Sequence, residues 1–455
     1  MIWIMVENII FKRKLYRKLL HWKQESNGES SILIEGARRV GKSTLARQFA
    51  KNEYKSFIFI DFSSVKSDVK RLFEDVSNLD MLFTQLQFEY GVQLYKRESV
   101  IVLDEIQLCP PARQAIKHLV ADGRYDYIET GSLISITKNV KNILIPSEED
   151  SVNMYPLDFE EFLYALGDTT TSSLLRNVIQ QPAPLGQVGH RKMMELFRLY
   201  MLVGGMPQAV SKYIETRNMT LVDGIKRKII KLYLSDFHKI DNTGRISRLF
   251  EDIPAQLLKN NSRYMPRTVI GSKISEKAED SYISELASSM TVNMCYHTAN
   301  PANGLAMDYD KDYFKMFVGD TGLFITLAFY DKEFTDNIIY QKLLHDKLDV
   351  NLGYVFENVV AQMLAAAGKK LFYYTFPAPH KHIYEIDFLL SDGHKIRPIE
   401  VKSAGYNTHS SIDAFCDKYP KKIKTPTIIY AKDYKAEAPY TYMPIYLLPF
   451  MAEKI

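Results

Sequence analysis

Apolar positions along this chain follow two patterns, short unbroken runs and longer stretches spaced at the helical period. The runs SILIE (31–35), SFIFIDF (56–62), VIVLDE (100–105) and YDYIETGS (125–132) each predict a short buried strand. Ahead of them, IFKRKLYRKLLHWKQ (10–24) sets Phe11, Leu15, Leu19 and Trp22 near a helical period, and ESNGESS breaks that helix. KSTLARQFAKN predicts a second helix directly after the first strand. Strands alternating with helices imply βαβ units and a parallel sheet, so the expected fold class is α/β.

From Asp158 the period turns helical, through DFEEFLYALG, RKMMELFRLYMLVGG and a basic stretch ending KLYLSDF. Residues 245–325 read as short helices and a turn-rich region, TANPANGLAMDYDKDYFK. A last block opens with the helix FENVVAQMLAAAG and continues with strand-like KLFYYTF, YEIDFLL and IRPIEVKS, then a helix and the strand TPTIIYA. The expected domains are therefore 1–156, 157–240, 241–335 and 336–455.

With 455 residues, 46% of them hydrophobic, the chain has ample material for several cores. A net charge of +4 does not by itself indicate nucleic acid, but its distribution is uneven. Lys12–Lys23 carries six basic and no acidic residues, and Ile225–Lys231 carries four. Such stripes suit phosphate backbones, but a solvated helix face is the commoner explanation. Three separated cysteines (Cys109, Cys295, Cys416) exclude a disulfide scaffold and a cysteine-based zinc site. No run of 18 apolar residues occurs, and MIWIMVENII has its basic residues after the apolar start, the reverse of a signal peptide. The expectation is a cytoplasmic protein without a membrane partner.

The chemistry begins at GARRVGKST, Gly36-Ala37-Arg38-Arg39-Val40-Gly41-Lys42-Ser43-Thr44. A Gly-x4-Gly-Lys-Ser loop between a strand and a helix turns backbone N–H groups toward phosphates, with no Cβ in the way. Lys42 is placed to reach the β- and γ-phosphates, and Ser43 to ligate Mg²⁺. About 60 residues on, Asp104 and Glu105 end an apolar strand, where ligands of open α/β sheets bind. Asp104 is expected to hold Mg²⁺, and Glu105 to polarise an attacking water; a glutamate there fits ATP better than GTP chemistry. In Thr130-Gly131-Ser132, a hydroxyl, with Ser132 the candidate, could bond the γ-phosphate or the water. An arginine completing such a site is sought among Arg38, Arg39, Arg113 and Arg124, with Arg113 favoured because it follows the acidic strand.

GARRVGKST, VLDEIQ, ETGS, PLDFEEF, GGMP and FVGDTGLF together resemble the AAA-type ATPases of bacteria and archaea that carry an uncharacterised C-terminal domain. The resemblance implies an additional-strand P-loop core over 1–156, a helical lid over 157–240, a winged-helix-like region over 241–335 and a restriction-endonuclease-like domain over 336–455. Gln107 and Gly204-Gly205-Met206-Pro207 match the family's pattern without chemistry that the sequence explains.

In the last block, Glu357 on a helix, Asp387 in a strand and Glu400-x-Lys402 in the next strand are similar to a restriction-endonuclease-like nuclease core. By that likeness Asp387 and Glu400 would bind Mg²⁺, Glu357 would complete the shell, and Lys402 would activate the water. Glu400 and Lys402 share a strand face, and Asp387 among apolar neighbours needs a partner or a metal. Lys259, Arg263, Arg267 and Lys273 hint at a recognition helix, although a solvated basic face explains them almost as well. Asp320 reads as a turn residue, and His380 and His382 as loop residues. The expected function is an ATP- and Mg²⁺-dependent ATPase coupled to a domain that binds, and could cleave, DNA; assembly into a homo-oligomer stays open. The alternatives are a nucleotide-switched DNA- or protein-binding module on an inactive nuclease-like scaffold, and a protein-remodelling partner.

Overall fold

The computed structural model describes residues 11–132, 146–259, 261–333, 340, 343, 352–403 and 408–455, which form two compact units. The first unit holds residues up to Tyr155 together with Ser288–Met290; the second holds the rest.

The first unit is built on five parallel strands: β1 Ser31–Glu35, β2 Ser56–Asp61, β3 Ser99–Asp104, β4 Asp126–Gly131 and β5 Glu149–Asn153. Their order across the sheet is β2-β3-β4-β1-β5. The four apolar runs are therefore strands, and β4 is inserted between the strand that leads to the glycine loop and the strand that ends in the acidic pair. β3 and β4 are buried at every position, as central strands covered on both faces must be. On one face, Leu33, Ile58, Ile60, Ile101 and Leu103 pack with Phe83 and Leu86 of helix Leu79–Tyr90 and with Ile116 and Leu119 of helix Pro110–Asp122. The glycine-loop helix, Lys42–Glu53, packs against β2, β3 and β4. β5 was not predicted, because EDSVN is an exposed, acidic edge strand without apolar alternation.

The second unit begins with helices Phe159–Ala165, Thr170–Gln180, Gly186–Val203, Pro207–Thr216 and Met219–Ile240. It ends in an eight-stranded mixed sheet whose order is β12-β13-β11-β10-β9-β8-β6-β7. These strands are β6 Val292–Thr298, β7 Tyr309–Val318, β8 Leu371–Pro377, β9 Ile383–Asp392, β10 Lys395–Lys402, β11 Thr427–Tyr430, β12 Lys435–Glu437 and β13 Tyr440–Pro444. Helix Gly353–Ala366 packs against β6, β7, β8 and β10, while helix Ser410–Lys418 packs against β9 and β10.

Two expectations change here. The boundary drawn near 335 cuts through one sheet, since β6 hydrogen-bonds in parallel to β8, with Cys295 opposite Leu371. The hairpin β6–β7 therefore belongs to the terminal sheet and is not the wing of a separate winged helix. The helices ahead of it, Arg245–Glu251, Ile253–Leu258 and Pro266–Ile270, have only five to seven residues. Arg267 is paired with Glu279 at 2.8 Å, and Arg263 lies over the Tyr313 ring, so neither is an unengaged contact on a recognition helix.

Three motifs that carried no derivable chemistry form one packed junction inside the second unit. Leu157 N donates to Gly205 O at 2.7 Å, and Gly205 N donates to Asp320 Oδ2 at 2.6 Å. Asp320 also caps helix Thr321–Leu327 by accepting from Leu323 N at 2.9 Å. A Cβ on Gly205 would stand 2.1 Å from Leu157 O, and one on Gly322 would stand 2.6 Å from Gly204 Cα. Buried Lys226 supplies the compensating charge, donating to Leu202 O at 2.7 Å and Gly322 O at 3.2 Å. Leu-Asp, Gly-Gly and Gly-Asp-Thr-Gly are thus close-approach residues.

Candidate nucleotide site and C-terminal acid–lysine cluster

The glycine loop joins β1 to helix Lys42–Glu53 through Arg39 and Gly41, both left-handed at φ 73 and φ 102. Gly36 is required by contact, since a Cβ there would meet Met154 O at 2.3 Å. Lys42 is buried, and its Nζ donates to Gly36 O at 2.9 Å and Ala37 O at 3.1 Å. Burial pushes its pKa down to about 8 against the pull of Glu105 and Asp104, and the charge of Arg38 adds to the depression. Arg38 therefore stands within electrostatic reach of the Lys42 ammonium, while Arg39 is exposed.

Asp104 accepts from the hydroxyls of Thr130, at 2.5 Å, and Ser43. Burial raises its pKa, and those two hydroxyls work against the rise. A hydroxyl and a carboxylate joined in this way form an oxygen donor set that fits Mg²⁺. Thr130 also accepts from Glu105 N at 3.3 Å, so one β4 hydroxyl fixes both acidic residues of the β3 end. Ser132 lies two residues further on, just past the end of β4. Glu105 adopts a left-handed conformation at φ 53, uncommon outside glycine, which turns its side chain out of the strand direction. Gln107 is buried, and its Nε2 donates to Glu105 Oε2; its own Oε1 has no hydrogen-bond partner among the described residues. The residue left unexplained by the sequence therefore holds the candidate base.

Arg113 is corrected. It is buried and clamps Glu149 with two bonds, Nε–Oε2 at 3.1 Å and Nη2–Oε1 at 2.7 Å. Glu149 pairs in register with Ser31, at the start of β1, whereas the glycine loop follows the end of β1. Arg113 thus serves the far end of the sheet. Arg124 is held by Asp122 and Asp80 over the Phe83 ring. An arginine missed by the sequence does reach the loop. Arg13, within the basic stripe, donates to Val40 O at 2.9 Å and to Tyr155 O at 2.6 Å. Its periodic basic neighbours hid it.

In the second unit, Asp387 and Ile386 are adjacent on β9 and face opposite sides. Ile386 joins the core beneath helix Ser410–Lys418, and Asp387 turns toward Glu357, Glu385 and Glu400. Lys402 Nζ pairs with Glu400 Oε1 at 2.5 Å. Asp387 Oδ2 accepts from Val401 N at 2.7 Å. Two members were missed. Lys315 of β7 is buried, its Nζ donates to Glu385 Oε1, and it lies 3.9 Å from Glu357 Oε2. Burial, reinforced by the charges of Glu357, Glu385 and Glu400, pushes Asp387 well above the ordinary carboxylate range. Burial also raises Glu357 and Glu400, with Lys315 and Lys402 opposing. For Lys315 burial works against the charge, yet Glu385, Glu357 and Asp387 hold its ammonium above the usual lysine range. Among the described residues, no three His, Cys, Asp or Glu side chains are arranged to hold a metal ion. Of the shell expected from Glu357, Asp387 and Glu400, Glu400 Oε2 is buried without a hydrogen-bond partner among the described residues.

Residues 28–163 match a family model described as an AAA domain. Residues 194–333 and 352–448 match two domains of unknown function, DUF8612 and DUF4143. An uncharacterised protein of Methanocaldococcus jannaschii is 26% identical over 160 residues, 34% of this chain and 32% of the relative. The chain thus spans about a third of the length of the curated relative it matches. Among solved structures, the Walker-type ATPase PABY2304 of Pyrococcus abyssi covers 70% of this chain and 96% of its own, at 17% identity and a TM-score of 0.42. The Orc1 protein of Aeropyrum pernix in complex with DNA covers 73% and 95%, at 11% identity and a TM-score of 0.30. The AAA-domain match, the glycine loop and the strand order make the first unit an AAA-type P-loop domain. No helix of the described residues is long and apolar enough to cross a membrane.

Proposed function

We propose that the chain is a cytoplasmic, Mg²⁺-dependent ATPase whose hydrolysis is coupled to a DNA-engaging C-terminal domain. The observation that carries the ATPase reading is the convergence of Lys42, Ser43, Asp104, Thr130 and Glu105 at the ends of β1, β3 and β4. Gly36, Ala37, Arg38, Arg39, Val40, Gly41 and Thr44 supply the backbone cradle and the first turn of the helix. Lys42 exchanges its carbonyl partners for the β- and γ-phosphate oxygens. Ser43 and Asp104 hold Mg²⁺, which offsets phosphate charge when bound. Glu105, steadied by Gln107, orients the attacking water and takes its proton.

The DNA reading is supported by the run of elements in the last block. A helix with Glu357 is followed by three strands, β8 to β10, carrying Asp387 and then Glu400-x-Lys402, and by a helix and the parallel strand β11. That order favours a restriction-endonuclease-like platform for a phosphodiester backbone. The buried Lys315–Glu385 pair favours a platform that binds without cutting.

The test is steady-state ATP turnover with and without DNA, for wild type, Lys42→Ala and Glu105→Gln. Both variants lose turnover by about a hundredfold or more, the usual scale for a lost general base. Glu105→Gln still binds ATP, and DNA stimulates the wild type. Unimpaired hydrolysis by Glu105→Gln removes Glu105 as the base.

A further inference from the structure

We infer that Lys315 is a built-in counter-ion of the C-terminal acidic cluster, its ammonium standing among the carboxylates in the place a divalent cation would take, so that the cluster takes none. This rests on the nuclease-like reading of that block and changes what the block does. Four carboxylates, those of Glu357, Glu385, Asp387 and Glu400, meet on one face of the sheet beneath helix Gly353–Ala366. A divalent cation would need two or three of them to turn oxygens onto a common point. Instead each faces a group of the chain, although Glu400 Oε2 is buried without a hydrogen-bond partner among the described residues. Glu385 binds Lys315, and Glu357 faces the same ammonium at 3.9 Å. Glu400 binds Lys402, and Asp387 spends an oxygen on the Val401 amide.

Lys315 also comes from outside the strand–strand pair that carries the motif. It reaches the cluster because β7 is bonded to β6, and β6 to β8. It lies opposite Cys295, between Phe314 and Met316, with its side chain almost wholly buried. A buried ammonium is strongly disfavoured without paired carboxylates, and buried carboxylates without an ammonium are equally so. Each therefore holds the other in place, and the ammonium stands among the carboxylates where a cation's charge would be needed. The inferred role is a nuclease-like acidic cluster that stays metal-free and therefore does not hydrolyse a phosphodiester.

The experiment is a Mn²⁺ titration of the full chain without nucleotide, followed by calorimetry, on wild type, Asp387→Asn, Lys315→Met and Lys315→Met/Asp387→Asn. Wild type and Asp387→Asn are expected to give the same isotherm. Lys315→Met is expected to gain a Mn²⁺ site at least about tenfold tighter, the scale on which a neighbouring group tunes metal affinity. The double variant loses that site again. Wild-type binding that Asp387→Asn abolishes overturns the inference, and so does a Lys315→Met isotherm unchanged from wild type. If Lys315→Met does not fold, Lys315→Met/Glu385→Gln removes both charges. Recovery of its thermal transition supports the pairing, and continued failure to fold overturns it. Mn²⁺-dependent DNA cleavage lost in Asp387→Asn would overturn the inference while leaving the nuclease-like reading intact. Absence of any DNA binding by wild type would remove that reading while leaving the titration result unaffected.

Discussion

Raising the pH from 7 to 9 weakens ATP binding by about tenfold. The cause is Lys42, whose ammonium is buried, donates to the carbonyls of Gly36 and Ala37, and is pushed down to about 8. With that value the charged fraction falls from about nine-tenths at pH 7 to about one-tenth at pH 9, a cost of about 1.4 kcal/mol in binding. Phosphate oxygens favour the charged form, so ATP binding near pH 8 draws in about half a proton. In the nucleotide-free chain the sign reverses. The folded state disfavours the ammonium, so the unfolded state holds more protons between pH 8 and 10.5, and this group's contribution to stability rises with pH over that window. Lys226, buried in the second unit and also pushed down to about 8, adds a contribution of the same sign. The assay is a fluorescent-ATP titration at saturating Mg²⁺ from pH 7 to 9, repeated with Lys42→Arg, whose guanidinium keeps its charge. A dissociation constant that stays flat in wild type, or rises equally in Lys42→Arg, refutes the reasoning.

Two substitutions test the corrected architecture. Arg113→Ala leaves Glu149 without its clamp and Glu129 buried beside it, and is expected to cost about 3–5 kcal/mol in urea unfolding. Unchanged stability with lost hydrolysis would return Arg113 to the nucleotide. Gly205→Ala drives a methyl to 2.1 Å from Leu157 O and is expected to lower stability by at least about 2 kcal/mol. Gly224→Ala, inside helix Met219–Ile240 with nothing near its Cβ, is the matched control and gains up to about 1 kcal/mol. A Gly205→Ala melt equal to that of the control would refute the close-approach account.

The nucleotide site was legible because its parts are contiguous and each has its own local signature. A strand, a glycine loop and a helix occupy adjacent residues, and Asp104-Glu105 ends a run whose burial is evident from its apolar residues. What escaped was how the chain folds back on these parts. Thr130 was one hydroxyl of two in Thr-Gly-Ser, and only the insertion of β4 beside β3 picks it out as the one bonded to Asp104. Arg113 was favoured for following the acidic strand, yet helix Pro110–Asp122 runs back toward the start of the sheet, where Glu149 waits on a strand too acidic to be recognised. Arg13 sits among basic residues that solvate a helix face, and nothing in the periodicity separates the one that turns inward.

The C-terminal cluster shows how a rule already in use could have been carried further. Asp387 drew notice because Ile386, Phe388 and Leu389 flank it, so its carboxylate had to be buried and compensated. The same reasoning applies to Lys315 in YFKMFV, where apolar residues on both sides imply a buried strand and therefore a buried ammonium in need of an acid. The turn-rich stretch TANPANGLAMDYDKDYFK suggested a loop and hid the strand that begins within it at Tyr309. Recognising a buried Lys315 would not have found its acid, because Glu385 is 70 residues away and the two meet through the intervening strands β6 and β8. The charge logic nevertheless predicts the kind of partner each requires. A buried acid beside Glu-x-Lys reads as a metal site only until a second buried lysine enters the count, and Lys315 is the residue on which that distinction turns.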